Sequence, residues 1–124
     1  MPKRVLVVED EMLIRMLAVD MLEDLGFTTA EAGTAAEALQ QLKAPDANYA
    51  LIFLDIGLPD KKGDELIKEV RGFNPGIPFL VASGESKADL KARLDGFGPI
   101  GYLGKPYDQD RLTEALAALK LKAK

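Results

Sequence analysis

Carboxylates stand at Glu9, Asp10 and Asp55, a hydroxyl at Ser83 with Gly84 beside it, and an ammonium at Lys105 followed by Pro106. Three carboxylates brought within a few ångströms repel one another unless they are protonated or bridged by a cation. Mg²⁺ answers that need, since it takes a near-octahedral oxygen shell and uses one or two carboxylates alongside waters and phosphate oxygens. In this reading Asp10 and Asp55 ligate directly, Glu9 ligates through water, and the carbonyl of Gly57 supplies a further oxygen. Lys105 close to Asp55 keeps that carboxylate ionised and neutralises a phosphoryl oxygen, while Pro106 biases its predecessor toward an extended backbone. Ser83 offers a second phosphoryl oxygen a donor, and Gly84 leaves room for the group to enter. Together these parts suit phosphoryl transfer onto Asp55, a reaction that rests on positioning and charge neutralisation and for which a side-chain carboxylate is an established nucleophile.

Each residue alone supports a plainer role. Acids after a short apolar run favour a helix dipole, a serine after a strand is commonly a turn or cap, and an isolated lysine says little. The chemistry therefore depends on elements that gather residues spread over almost a hundred positions. Val5 to Val8 and Leu51 to Leu54 are continuous apolar runs, as expected of strands buried on both faces. Phe27–Ala32, Ile77–Ala82 and Ile100–Leu103 read as further strands. Between them, Leu13, Ile14, Leu17, Met21, Leu22 and Leu25 recur at helical spacing with Gly26 at the expected C-terminal cap. Thr34 and Glu37 form a capping box ahead of Ala38, Leu39 and Leu42. Leu66, Ile67 and Val70 mark a third helix closed by Asn74-Pro75-Gly76, and Ser86–Phe97 a fourth with a glycine-rich flank. Asp108 caps a last helix bearing Leu112, Leu116 and Leu119.

Five strands alternating with five helices imply an α/β fold, a doubly wound parallel sheet with helices on both faces, because parallel strands need right-handed crossovers. In such sheets ligands collect beyond the carboxyl ends of the strands. Glu9-Asp10-Glu11, Asp55, Ser83-Gly84 and Lys105 all follow predicted strands, so the fold would bring them to one rim.

With 124 residues the chain fits one domain, taken as 1–124. Without cysteine or histidine it has no disulfide, zinc–thiolate or thiol chemistry and no phosphohistidine of its own. No apolar stretch is long enough to span a bilayer, and the short lead-in from Met1 to Arg4 does not make a signal peptide, so a cytoplasmic address is expected. A net charge of −4 argues against nucleic-acid binding. Lys120, Lys122 and Lys124 read as a solvated helix end.

The segments Val5–Glu11, Leu54–Asp60 with Gly63, and Gly104–Tyr107 resemble the signature segments of the response-regulator receiver family of two-component signalling, over nearly the whole chain. The resemblance implies a flavodoxin-like (βα)5 fold, and the strand order 2-1-3-4-5 is borrowed from a receiver as the type example. It implies that Asp55 accepts a phosphoryl group from a sensor histidine kinase or a histidine phosphotransfer protein. By it Glu9 and Asp10 match the acidic pair, Ser83 the switch hydroxyl, Lys105 the family's lysine and Tyr102 the aromatic switch. It further suggests a cis Lys105–Pro106 bond. Gly57 and Glu85 fall where phosphoryl lifetime would be tuned. Such a domain would catalyse only its own phosphorylation and slow dephosphorylation, and would act on a downstream protein or through a separate output domain.

Three other functions compete. A nucleotide binder of the same fold would present glycines and hydroxyls where this chain has Glu9-Asp10-Glu11, and an aspartyl phosphatase would carry a second acid where Gly57 stands. A receiver-like scaffold that works without phosphorylation usually lacks one of the site residues, and here each is present.

Overall fold

The computed structural model describes residues 3–121. Lys122 and Lys124 of the basic end lie outside the described residues. Five parallel strands, β1 (Arg4–Val8), β2 (Thr28–Ala32), β3 (Leu51–Asp55), β4 (Phe79–Ser83) and β5 (Ile100–Gly104), form one sheet in the order β2-β1-β3-β4-β5. Five helices, α1 (Met12–Asp24), α2 (Ala35–Leu42), α3 (Gly63–Phe73), α4 (Lys87–Leu94) and α5 (Gln109–Ala118), alternate with them. The fold and strand order are those expected.

Successive strand residues point to opposite faces, and the core divides accordingly. Leu6, Val8, Ile52, Leu54, Phe79 and Val81 pack with buried residues of α2, α3 and α4. Val5, Val7, Leu51, Phe53, Leu80 and Ala82 pack with those of α1 and α5. The continuous apolar runs reflect this double coverage.

Helix ends follow local chemistry. The Thr34 hydroxyl accepts from Glu37 N–H at 3.1 Å, and Glu37 Oε2 accepts from Gly33 N–H at 2.9 Å. Gly26, at φ +98°, closes α1 with Gly26 N–H donating to Glu23 O and Phe27 N–H to Leu22 O. α4 ends at Leu94 rather than reaching Phe97, because Gly96 and Gly98 take positive φ and turn the chain away.

The apolar positions of α1 depart from expectation. Only Ala18 and Leu22 are buried. Leu13 and Leu17 are 75% and 58% exposed and, with Met12 and Met16, form an apolar band facing out. The helix carries more apolar surface than its contact with the sheet can cover.

Candidate functional site

Parallel register brings the strand ends to one rim. Val8 lies opposite Leu54, Asp55 opposite Ala82, and Ser83 opposite Gly104. Glu9 continues the ladder, its N–H donating to Ala32 O at 3.0 Å, which keeps its side chain inside while Asp10 turns outward. Glu9 is 2% exposed and Ser83 3%. One carboxylate oxygen from each of Glu9, Asp10 and Asp55 lies within 4.8 Å of the others. Lys105 Nζ donates to Asp55 Oδ1 at 3.0 Å and stands 4.0 Å from Glu9 Oε1. The Lys105–Pro106 bond is cis, and Lys105 N–H donates to Ser83 O at 2.9 Å.

The electrostatics turn on Glu9. Burial first, then the hydrogen bond and charge of Asp55, push its carboxyl up to about 8. Burial alone would raise Asp55 too, but hydrogen bonds from Glu9 and Lys105 outweigh it and hold Asp55 below the usual carboxylate range. Glu9 Oε2 accepts from Asp10 N–H at 3.1 Å, whereas Oε1 is buried with no donor. An ionised, buried oxygen without a partner is costly, so Glu9 either keeps a proton shared with Asp55 or meets a cation. Three carboxylates with clustered oxygens, among them Glu9 with its unpartnered Oε1, fit a small divalent cation.

The remaining candidates border this centre. Gly57 N–H lies 3.5 Å from Asp55 Oδ1, and a Cβ at Gly57 or Gly84 would meet nothing within 4 Å. Ser83 Oγ accepts from Glu85 N–H at 3.0 Å. Glu85 and Gly57 line one cavity of about 410 Å³, where Glu85 pairs with Arg93 at 2.5 Å and Arg93 also pairs with Asp64 at 2.8 Å. Tyr102 is half-buried against the α2–α3–α4 core, its phenol raised by burial and by the charge of Asp95.

Other residues serve the rim without having been marked by sequence. Arg15 Nη1 donates to Glu9 O at 2.8 Å while its Nε pairs with Glu31 at 3.0 Å. The Asp60 carboxylate accepts from Ala35 and Ala36 N–H at 2.9 and 3.0 Å, tying the β3–α3 loop to α2. Tyr107 packs on Phe53 with ring centroids 5.9 Å apart, and burial, then Glu9 and Asp55, push its phenol up to about 12. A Cβ at Gly63 would come within 2.6 Å of Ile56 Cδ1, so glycine lets α3 start directly under the residue that follows Asp55. Of these, Asp60, Gly63 and Tyr107 lay in recognisable segments but carried no assigned role there, and Arg15 is defined by partners distant in sequence.

The family model for the response regulator receiver domain matches residues 5–117. The chain belongs to that family. It is 32% identical over 109 residues to the sensor kinase CckA of Brucella abortus, covering 88% of this chain and 12% of that protein. It is 31% identical over 121 residues to the cell cycle response regulator CtrA of Brucella ovis, covering 98% of this chain and 51% of that protein. The chain therefore spans about half, or much less, of the length of these curated relatives. Among solved structures, the chemotaxis protein CheY4 of Vibrio cholerae superposes with a TM-score of 0.82 at 28% identity, covering 96% of this chain and 99% of that one. A CheY-like receiver domain of Methanospirillum hungatei gives 0.84 at 27% identity, covering 97% and 95%. This is a receiver domain of two-component signalling with a flavodoxin-like fold, and among the described residues no helix is long and apolar enough to cross a membrane.

Proposed function

We propose that the domain accepts a phosphoryl group on Asp55 from a phosphohistidine of a sensor kinase or phosphotransfer protein, and that this changes a protein-interaction surface. The observation that carries the reading is the ammonium of Lys105 at 3.0 Å from Asp55 Oδ1, beside three carboxylate oxygens within 4.8 Å. An Asp55 carboxylate oxygen attacks phosphorus as the phosphorus–nitrogen bond to the donor imidazole breaks, and the imidazole leaves with the bonding pair. Lys105 offsets the charge on a phosphoryl oxygen. Mg²⁺, held by Glu9, Asp10 and Asp55 with the Gly57 carbonyl as a further ligand, would neutralise the remaining charge.

The phosphorylated state adds nearly two negative charges beside Glu9 and Asp10. Ser83 then leaves Glu85 N–H to donate to the phosphoryl group, and Tyr102 moves into the space vacated, shifting the population toward a form with an altered α4–β5–α5 face. Gly57 and Glu85 border the approach of hydrolytic water. On this reading the chain catalyses only its own phosphorylation and slow dephosphorylation, and it works in the cytoplasm beside its phosphohistidine donor.

Mass spectrometry after incubation with acetyl phosphate or phosphoramidate, with and without Mg²⁺, tests the reading. A gain of one phosphoryl mass that requires Mg²⁺ and is lost in Asp55→Asn is expected. No adduct on a folded protein would overturn it in favour of a phosphorylation-independent scaffold. Unchanged phosphoryl lifetime and output in Ser83→Ala would overturn the switch.

A further inference from the structure

α4 rests on the sheet by a small footprint, since Leu90 and Leu94 are its buried residues, whereas α3 buries Leu66, Ile67 and Val70 along with Gly63. With less apolar area to fix it, α4 depends more on polar contacts. Those contacts converge on Arg93, in its last turn. Arg93 Nε and Nη2 donate to Asp64 Oδ2 and Oδ1 at 2.8 and 3.2 Å, the forked pairing that suits a guanidinium and a carboxylate. The remaining nitrogen, Nη1, donates to Glu85 Oε2 at 2.5 Å. Asp64 lies in the first turn of α3 and Glu85 in the loop between β4 and α4, so one guanidinium ties three segments together.

This clasp borders the candidate site. The cavity of about 410 Å³ lined by Arg93, Asp64 and Glu85 also takes in Ile56 and Gly57, the two residues after Asp55. At the other end of the same residue, Glu85 N–H donates to Ser83 Oγ at 3.0 Å. The Glu85 side chain is thus held by Arg93 while its amide holds Ser83. The two ends of the clasp differ. Asp64 takes two of the three bonds with a side chain 24% exposed, and Glu85 takes one with a side chain 42% exposed. A single, well-solvated ion pair holds weakly, so Glu85 is the end that lets go while Asp64 keeps the guanidinium in place.

We propose that Arg93 is a positioning residue for phosphorylation. Anchored on Asp64, it holds Glu85 toward α3, keeps the Glu85 N–H on Ser83 Oγ, and so opposes departure of that hydroxyl to the phosphoryl group. The inference deepens the phosphoryl-acceptor reading and rests on it. Ser83 turns to a phosphoryl oxygen only by giving up the Glu85 N–H, and a loop fixed at Glu85 keeps that donor where it is. Opening the clasp lets the donor drift and shifts the population toward the form that accepts the phosphoryl group. The sign of the effect is diagnostic. Arg93 is a cation beside the site, and through charge alone its removal would slow an anionic donor. Through the clasp, its removal speeds the reaction.

The test uses the full chain with Mg²⁺ and phosphoramidate, timed by mass spectrometry. An Asp55 oxygen attacks phosphorus and ammonia leaves with the electron pair of the broken phosphorus–nitrogen bond. Arg93→Met should gain the phosphoryl group about threefold faster than wild type, the scale of releasing an exposed ion pair. Arg93→Lys, which keeps the charge but not the fork, should fall between them. In a Ser83→Ala background, Arg93→Met should add no acceleration. Before any donor is added, exchange of the Glu85 amide with water, read by ¹⁵N-resolved NMR, should rise about threefold in Arg93→Met. Circular dichroism checks the fold, and if Arg93→Met loses it, Arg93→Lys carries the same comparisons. A rate equal to or below that of wild type in the folded variant overturns the proposal. So does an equal acceleration in the Ser83→Ala background, or an unchanged Glu85 amide. Wild type that takes up no phosphoryl group overturns the acceptor reading instead, and the Glu85 amide then decides the clasp by itself.

Discussion

Divalent-cation binding should be coupled to a proton held by Glu9. With its carboxyl pushed up to about 8 by burial and by Asp55, Glu9 is protonated at pH 6 in the cation-free protein. A cation bound against Oε1 requires that proton to leave. For a group that titrates near 8 when free and stays ionised when bound, apparent affinity scales with the ionised fraction, about one in a hundred at pH 6 and one in two at pH 8. Mg²⁺ affinity should therefore rise about 50-fold across this range, equivalent to about 2.3 kcal/mol. Close to one proton should be released per Mg²⁺ at pH 6 and about half a proton at pH 8. Isothermal titration calorimetry in buffers of different ionisation enthalpy counts these protons directly. Glu9→Gln, which cannot ionise, should lose this steep dependence. The same linkage fixes the sign for stability. The folded value lies above the ordinary 4.5, so the native state binds more protons than the unfolded one between them. Glu9's contribution is full below about 4.5 and falls as pH rises through about 8, and Mg²⁺ at pH 8 should restore it. Equal Mg²⁺ affinity at pH 6 and pH 8 in wild type, or an unchanged pH slope in Glu9→Gln, would refute this reasoning.

Other substitutions probe the same architecture. Lys105→Met removes the ammonium 3.0 Å from Asp55; phosphorylation by phosphoramidate should slow at least tenfold, while Mg²⁺ should bind more tightly in a titration because a competing cation is gone. Gly63→Ala drives a methyl against Ile56 and should cost about 1–3 kcal/mol in urea unfolding. Asp60→Ala removes both carboxylate bonds to the start of α2 and should cost about 1 kcal/mol at pH 7. Because Ala35 N–H, then Ala36 N–H, hold Asp60 below its ordinary 3.8, that difference should shrink as thermal melts move below about pH 4. Arg71→Ala strips donors from the carbonyls of Asn74, Ile77, Phe97 and Pro99 and should cost about 2–3 kcal/mol by chemical denaturation.

The apolar runs, glycine caps and capping boxes disclosed the sheet and its helices because each is a local consequence of sequence. The candidate site was legible for a related reason: Glu9, Asp55, Ser83 and Lys105 sit at or just beyond the carboxyl ends of strands, and parallel topology brings strand ends together. What sequence could not supply was depth. Glu9 and Asp10 are adjacent acids, and only the ladder bond from Glu9 N–H to Ala32 O decides which one is buried. The spacing of Leu13 and Leu17 marks a helix but not how much of it the sheet covers. Arg71 and Arg15 look like surface charges until folding presents carbonyls from distant segments to them.

The distance between Lys105 and its partners along the chain has a consequence for folding. Lys105 lies 50 residues beyond Asp55 and directly follows β5, the last strand of the sheet in chain order. Until that strand docks, the first and third strands bring Glu9, Asp10 and Asp55 together with no ammonium to offset them. Assembly of the rim is therefore opposed by its own acids, and contacts so remote in sequence form slowly. Divalent cations present during refolding should hasten closure of the sheet, making the ion a participant in folding as well as in the proposed phosphoryl transfer.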